Sequence, residues 1–150
     1  MGAAPRDRAT RKADALSLLR TPGIDVWVAT ASTDGAPYLV PLSLAWVDSR
    51  AVIALATSSR TARNLHAGGP VRLAVGPTRD VVMIDAVVDR RVDVAVDPGL
   101  GERYVAQADW DPRGEAAYEF LVLRPERVQA WREANEIPGR TLMTDGRWLV

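Results

Sequence analysis

Turn signals punctuate this chain at short intervals, and that spacing limits it more than any other feature. Thr33-Asp34-Gly35, Asp48-Ser49-Arg50, Gly68-Gly69-Pro70 and Gly76-Pro77 separate apolar stretches that are mostly too short for long helices. Asp25 to Ser32 and Ala36 to Val47 read as a hairpin around the first of these turns. In the second arm Tyr38, Val40, Leu42, Leu44 and Trp46 share one face by period two, with Leu39, Ser43 and Ala45 on the other. Ala51 to Thr57 is almost wholly apolar, as expected of a strand covered on both faces. Val71 to Val75 resumes the strand pattern, and Asp80 to Asp97 is a long strand region. Its second half alternates Arg91, Asp93 and Asp97 with Val92, Val94 and Val96, giving one wet face.

Only three segments suit helices. From Arg6 to Arg20, the apolar residues Ala9, Ala13, Leu16 and Leu19 fall three or four apart on one helical face. Ser58-Ser59 caps a short helix running to about Ala67, and Pro98 to Ala108 forms a third. Strands follow from Tyr118 to Leu123 and from Arg127 to Trp131, ahead of a polar tail. Six or seven strands joined by short turns, with so few helices, predict a mainly β, closed or partly closed barrel. At 150 residues, residues 1–150 are expected to form a single domain.

Composition removes whole classes of function. Lys plus Arg equals Asp plus Glu at 19 each, so no long-range field draws the chain to nucleic acid or an anionic membrane surface. Cysteine is absent and histidine occurs once, at His66, which leaves no thiolate or multi-histidine metal site. No run approaches the roughly 20 apolar residues of a membrane span, and the N-terminus lacks a signal-peptide core, so a cytoplasmic location is expected. No nucleophile elbow, phosphate-binding Walker loop or dinucleotide fingerprint is present.

The chemistry-bearing segment is Thr57-Ser58-Ser59-Arg60-Thr61-Ala62-Arg63, which brings hydroxyls and free backbone N–H groups to a strand-to-helix junction, an arrangement suited to an anion. Arg60 and Arg63 stand three apart on one helical face. The same residues also suit an ordinary capped surface helix with two solvated arginines. Pro41 interrupts the second strand and marks an edge or a bulge, either plainly structural or leaving the amides of Leu42 and Ser43 free for a ligand. Among five tryptophans, Trp27 and Trp46 lie on periodic strands and read as core, whereas Trp131 lies in a polar stretch that suits a site or an interface. His66 reads as an exposed or capping residue.

The order Val26-Trp27-Val28-Ala29-Thr30, Asp34-Gly35-x-Pro37, Val40-Pro41-Leu42 and Leu55-Ala56-Thr57-Ser58-Ser59-Arg60-Thr61-Ala62-Arg63-Asn64-Leu65 resembles the pyridoxamine 5'-phosphate oxidase-like FMN-binding split-barrel superfamily, over residues 24 to 90. The resemblance implies a Greek-key split barrel that works as a homodimer with cofactors at the dimer interface. It implies that Thr57, Ser58, Ser59, Arg60, Thr61 and Arg63 grip the cofactor phosphate, while Val40, Pro41, Leu42 and Ser43 lie along the flavin ring. The closing segment, from Arg124-Pro125 through Trp131 to Arg140 and Arg147, is similar to the part of the family in which a tryptophan and an arginine reach the partner's flavin. Thr61 stands where the family often has a phosphate-binding lysine. Thr141-Leu142-Met143-Thr144-Asp145 replaces the Arg-Leu-His-Asp-Arg run of the true pyridoxamine phosphate oxidases, which argues against vitamin-B6 phosphate as substrate.

The expected function is therefore that of an oxidoreductase using FMN or the deazaflavin coenzyme F-420 on a small organic substrate, with no acid–base residue of its own assigned. A flavin carrier or sensor without catalysis, or a haem-binding split barrel using His66 as axial ligand, are the alternatives.

Overall fold

The computed structural model describes residues 2–150. Helix α1 (Arg8–Leu19) leads into the hairpin β1 (Asp25–Ala31) and β2 (Pro37–Ser43), then β3 (Ala45–Val47), β4 (Arg50–Ala56) and helix α2 (Arg60–His66). Strands β5 (Val71–Val75) and β6 (Val81–Asp93), helix α3 (Pro98–Gln107) and the long β7 (Tyr118–Trp131) follow. The hairpin β8 (Thr141–Thr144) and β9 (Arg147–Trp148) completes the sheet.

The strands pair antiparallel in the order β2-β1-β5-β6-β7-β4-β3, with β8 and β9 added on β7. The two ends of that path, β2 and β3, are one run of chain interrupted only at Leu44, so the sheet returns on itself as a barrel. Strand β7 is where it splits. One edge of β7 pairs with β6, from Glu119 to Trp131. The other edge is shared between β4, against Tyr118 to Leu123, and β8, against Val128 and Gln129.

Alternation along β4 explains why both its faces are apolar. Ala51, Ile53 and Leu55 enter the barrel core with Val28, Leu73, Ile84 and Leu121. Val52 and Ala54 enter a second core beneath α3, with Leu100, Tyr104, Phe120 and Val122. The period-two face of the hairpin also survives the break at Leu44, since Leu44 and Trp46 are in the barrel core and Val40 and Leu42 pack against it.

Three expectations are corrected. The buried row of α1 is Arg11, Ala15 and Leu19, whereas Ala9 and Ala13 are exposed. Hydrophobicity misplaced the face because Arg11, 4% exposed, donates to the carbonyls of Arg6, Ala130, Glu136 and Pro138, and a buried guanidinium with such partners is tolerated. The strands expected at Tyr118–Leu123 and Arg127–Trp131 are one, because Pro125 sits opposite Ala86 at a register shift, where a missing N–H does little harm to the ladder. The polar tail contains the β8–β9 hairpin, turned by Asp145 and Gly146 with φ of 51° and 75°. Leu142 and Met143 anchor it in the barrel core.

Candidate functional site

The junction between β4 and α2 is held by its own short-range bonds. Thr57 N–H donates to Ala117 O at 2.9 Å, and the extended Ser59 caps the helix by accepting from Ala62 N–H at 3.2 Å. Ala62 and Leu65 point into the barrel core, while Asn64 Nδ2 donates to Thr30 Oγ1 at 3.0 Å. This seating turns Arg60 and Arg63 outward into solvent beside the exposed Ser58. The Arg60 guanidinium lies over the Tyr38 ring, 5.1 Å from its centroid. Thr61 is only 2% exposed, so the junction offers Thr57, Ser58 and Ser59 but little of Thr61 to a ligand.

Most arginines of this chain face a carboxylate. Among the described residues, Arg8, Arg20, Arg60, Arg63, Arg127, Arg140 and Arg147 form no such ion pair. All but Arg8 and Arg20 lie in the two segments that the family resemblance marks, and unpaired guanidinium groups beside hydroxyls are what an anionic ligand needs.

Strand β2 lies at one end of the sheet path, and Pro41 faces outward opposite Trp27. Val40 and Leu42 pack against the core, so of Val40 to Ser43 only the strand edge, Pro41 and part of Ser43 remain available. The outer face continues from there. One cross-strand row runs Pro41, Trp27, Ala74, Met83 and Gln129, and the next runs Leu39, Ala29, Arg72, Asp85 and Arg127. Trp27, expected in the core, is instead 50% exposed, because Val26 and Val28 take the inward face of β1 and leave Trp27 on the outer one; with Leu39 at 58% it leaves a large apolar area to water. An open groove of 490 Å³, lined by Ala29, Ala31, Pro70, Val71, Ala86 and Val87 among others, crosses the same face.

Trp131 belongs to neither core. It is half-buried at the end of β7 with the Arg140 guanidinium 5.1 Å from its ring, and Arg147 is exposed on β9. The loop beyond it is fastened by Glu136, which accepts from Arg6 Nε at 2.9 Å, Arg6 Nη2 at 2.7 Å and the backbone N–H groups of Arg6 and Arg132 at 2.8 Å. The Arg6 guanidinium above all, and then these N–H groups, hold the buried Glu136 carboxyl down at about 2.

The candidate residues thus form two groups. Ala56, next to Thr57, lies opposite Tyr118 at the start of β7, whereas Trp131 ends that strand. At about 3.3 Å per residue Trp131 is on the order of 40 Å from the junction along the strand. Arg147 lies nearer the middle of β7, where Gly146 N–H donates to Glu126 O.

His66 was legible only as an exposed or capping residue. It is in fact partly covered, and its Nε2 lies 2.6 Å from Oε1 of the buried Glu119, whose Oε2 is 3.8 Å from Arg91 Nε. Nothing in the sequence signals a pairing 53 residues apart. Among the described residues no cluster of three or more His, Asp or Glu is arranged for a metal ion, and no helix is long and apolar enough to cross a membrane.

A family model described as pyridoxamine 5'-phosphate oxidase matches residues 18–132. No curated protein matches the sequence significantly. Among solved structures, an F-420 reductase is similar with a TM-score of 0.60 and 23% identity, over 75% of this chain and 93% of that one. General Stress Protein 26 from Bacillus anthracis str. Sterne is similar at 0.64 and 13%, over 81% and 95%. A heme binding protein from Mycobacterium smegmatis is similar at 0.64 and 18%, over 97% of this chain and 60% of that one. At these identities the likenesses establish the split-barrel fold.

Proposed function

This chain belongs to the pyridoxamine 5'-phosphate oxidase family, and from that premise we propose that it is a cytoplasmic, homodimeric oxidoreductase subunit that binds FMN or coenzyme F-420 and acts on a small organic substrate. The observation that carries the reading is the pair Arg60 and Arg63, exposed, without carboxylate partners, and set beside the hydroxyls of Thr57, Ser58 and Ser59 at a capped helix start. These residues would hold the cofactor phosphate. The bound cofactor supplies the hydride chemistry, and the chain supplies binding and orientation.

A second copy of the chain completes the site in this reading. Two features support it: the apolar outer face around Trp27, Leu39 and Pro41, and the length of β7 separating the α2 junction from Trp131. Trp131 and Arg147 would then reach the partner's cofactor. Vitamin-B6 phosphate is not the substrate in this reading, because Leu142 and Met143 of the Thr141–Asp145 run are buried and its outward residues carry no histidine or arginine.

The F-420 reductase among the similar structures supports the deazaflavin branch, and the heme binding protein raises haem as the competitor. Axial ligation through His66 Nε2 would require breaking its bond to Glu119, whereas the flavin reading leaves that bond intact. The deciding experiment is the absorption spectrum of the chain purified from a host that makes all three cofactors, followed by titration of the apoprotein with FMN and F-420. Flavin or deazaflavin bands are expected. A Soret band, or failure to bind either compound, overturns the proposal.

A further inference from the structure

Helix α2 is too short to hold a direction by itself. At seven residues it falls well below the length at which helices persist alone, so the aim of Arg60 and Arg63 depends on what fastens the segment to the barrel. Inside the segment Ala62 and Leu65 pack into the core and Asn64 reaches Thr30. Its two ends are both fastened to the start of β7. At the front, Thr57 N–H donates to Ala117 O at 2.9 Å; at the back, His66 meets Glu119 at 2.6 Å.

Among the described residues, the back attachment is the one bond between the last turn and β7, beside the packing of Leu65 and the Asn64–Thr30 bond. After His66 the N–H groups of Ala67 and of Gly68, at φ 85°, donate back to the carbonyls of Arg63 and Leu65, so these residues tie the last turn to itself and add no bond to β7. Glu119 also needs its partner. Its carboxylate is buried, and Arg91 approaches only to 3.8 Å, outside hydrogen-bond distance. An ionised carboxylate in that position is costly without a donor, which keeps the imidazole in place. Arg63 lies three residues before His66, hence on the neighbouring turn of the same side of the helix, where a swing of the last turn moves it directly.

Resting on the phosphate site proposed above, we infer that His66 is a positioning residue for that site: its hydrogen bond to Glu119 fixes the last turn of α2 against β7 and so aims Arg63, and with it Arg60, at the anion.

The test uses two amides that differ in reach. In glutamine the terminal nitrogen occupies about the place of imidazole Nε2, and in asparagine that of Nδ1, so His66→Gln can still donate to Glu119 and His66→Asn cannot. FMN and F-420 are titrated into apoprotein of wild type and both variants, with thermal melting alongside so that affinity is expressed per folded molecule. His66→Asn is expected to raise Kd about tenfold and His66→Gln to stay within about threefold of wild type. Equal affinities for the two variants overturn the inference. Wild type that binds neither compound overturns the phosphate site along with it. Wild type that binds, is weakened by Arg60→Ala and Arg63→Ala, and is indifferent to His66→Asn overturns the positioning role alone. Should His66→Asn not fold, Glu119→Leu removes the same bond, and an affinity within threefold of wild type is the overturning result.

Discussion

Arg60 lies across the face of Tyr38 at 5.1 Å, joining the first residue of α2 to the beginning of β2. The guanidinium is thereby held by a ring and not by a carboxylate, and its five donors stay free for an anion. Arg60→Ala and Arg63→Ala are each expected to weaken binding of the cofactor by about ten- to a hundredfold, since a hydrogen bond to a charged group contributes roughly 1.5–3 kcal/mol. Tyr38→Leu should cost less, about a factor of two to five, for a partly exposed cation–π contact of roughly 0.5–1 kcal/mol. Titration of the apoproteins measures all three.

The outer face predicts the assembly. Sedimentation equilibrium at micromolar protein should return twice the 16.3 kDa of the chain. Because Trp27 and Leu39 project from neighbouring strands of that face, Trp27→Glu or Leu39→Glu should produce monomers that remain folded. A wild-type monomer would remove the shared site.

Trp131 is expected to matter for binding more than for folding. A buried core tryptophan cut to alanine costs about 3–5 kcal/mol, and Trp131 stands outside both cores with Arg140 on its ring. Trp131→Ala should therefore melt close to wild type as apoprotein while cofactor affinity or turnover falls. A large drop in Tm with unchanged affinity per folded molecule is the opposite outcome.

Acid should loosen the loop beyond Trp131. Bonds from Arg6 and from the Arg6 and Arg132 N–H groups lower the Glu136 pKa from the ordinary 4.5 to about 2. A carboxyl depressed in the folded state contributes stability that is fully present above its unfolded pKa and lost as pH falls through the folded one, here between about pH 4.5 and 2. Melting temperature measured across that window should fall, and the part due to Glu136 should vanish in Glu136→Gln. At neutral pH Glu136→Ala, which leaves Arg6 with Asp14 alone at hydrogen-bond distance and strips the Arg6 and Arg132 amides of their acceptor, should cost about 1–3 kcal/mol.

Much of this molecule was legible in its sequence. Alternation gave the hairpin face from Tyr38 to Trp46, the doubly covered β4 and the boundaries of β5, because a strand's period repeats within a few residues and turn residues mark its ends. Ser59 as helix cap was readable for the same local reason. The Asp145-Gly146 turn was there to be read as a hairpin, but the strands beside it are too short and polar to show a period.

Tertiary structure alone decided the rest. The inward face of α1 depends on carbonyls at Ala130, Glu136 and Pro138 that receive Arg11, and no helical period encodes an acceptor more than a hundred residues away. The partnership of His66 with Glu119, and the separation of the α2 junction from Trp131 along β7, likewise exist only once the sheet order is set. Local sequence determined which segments become strands and where the Ser59-capped strand-to-helix junction lies, because those depend on neighbours in the chain. Which side chains are paired and which are left free for a ligand was decided by the fold, because pairing a charge requires a partner that only packing brings within reach.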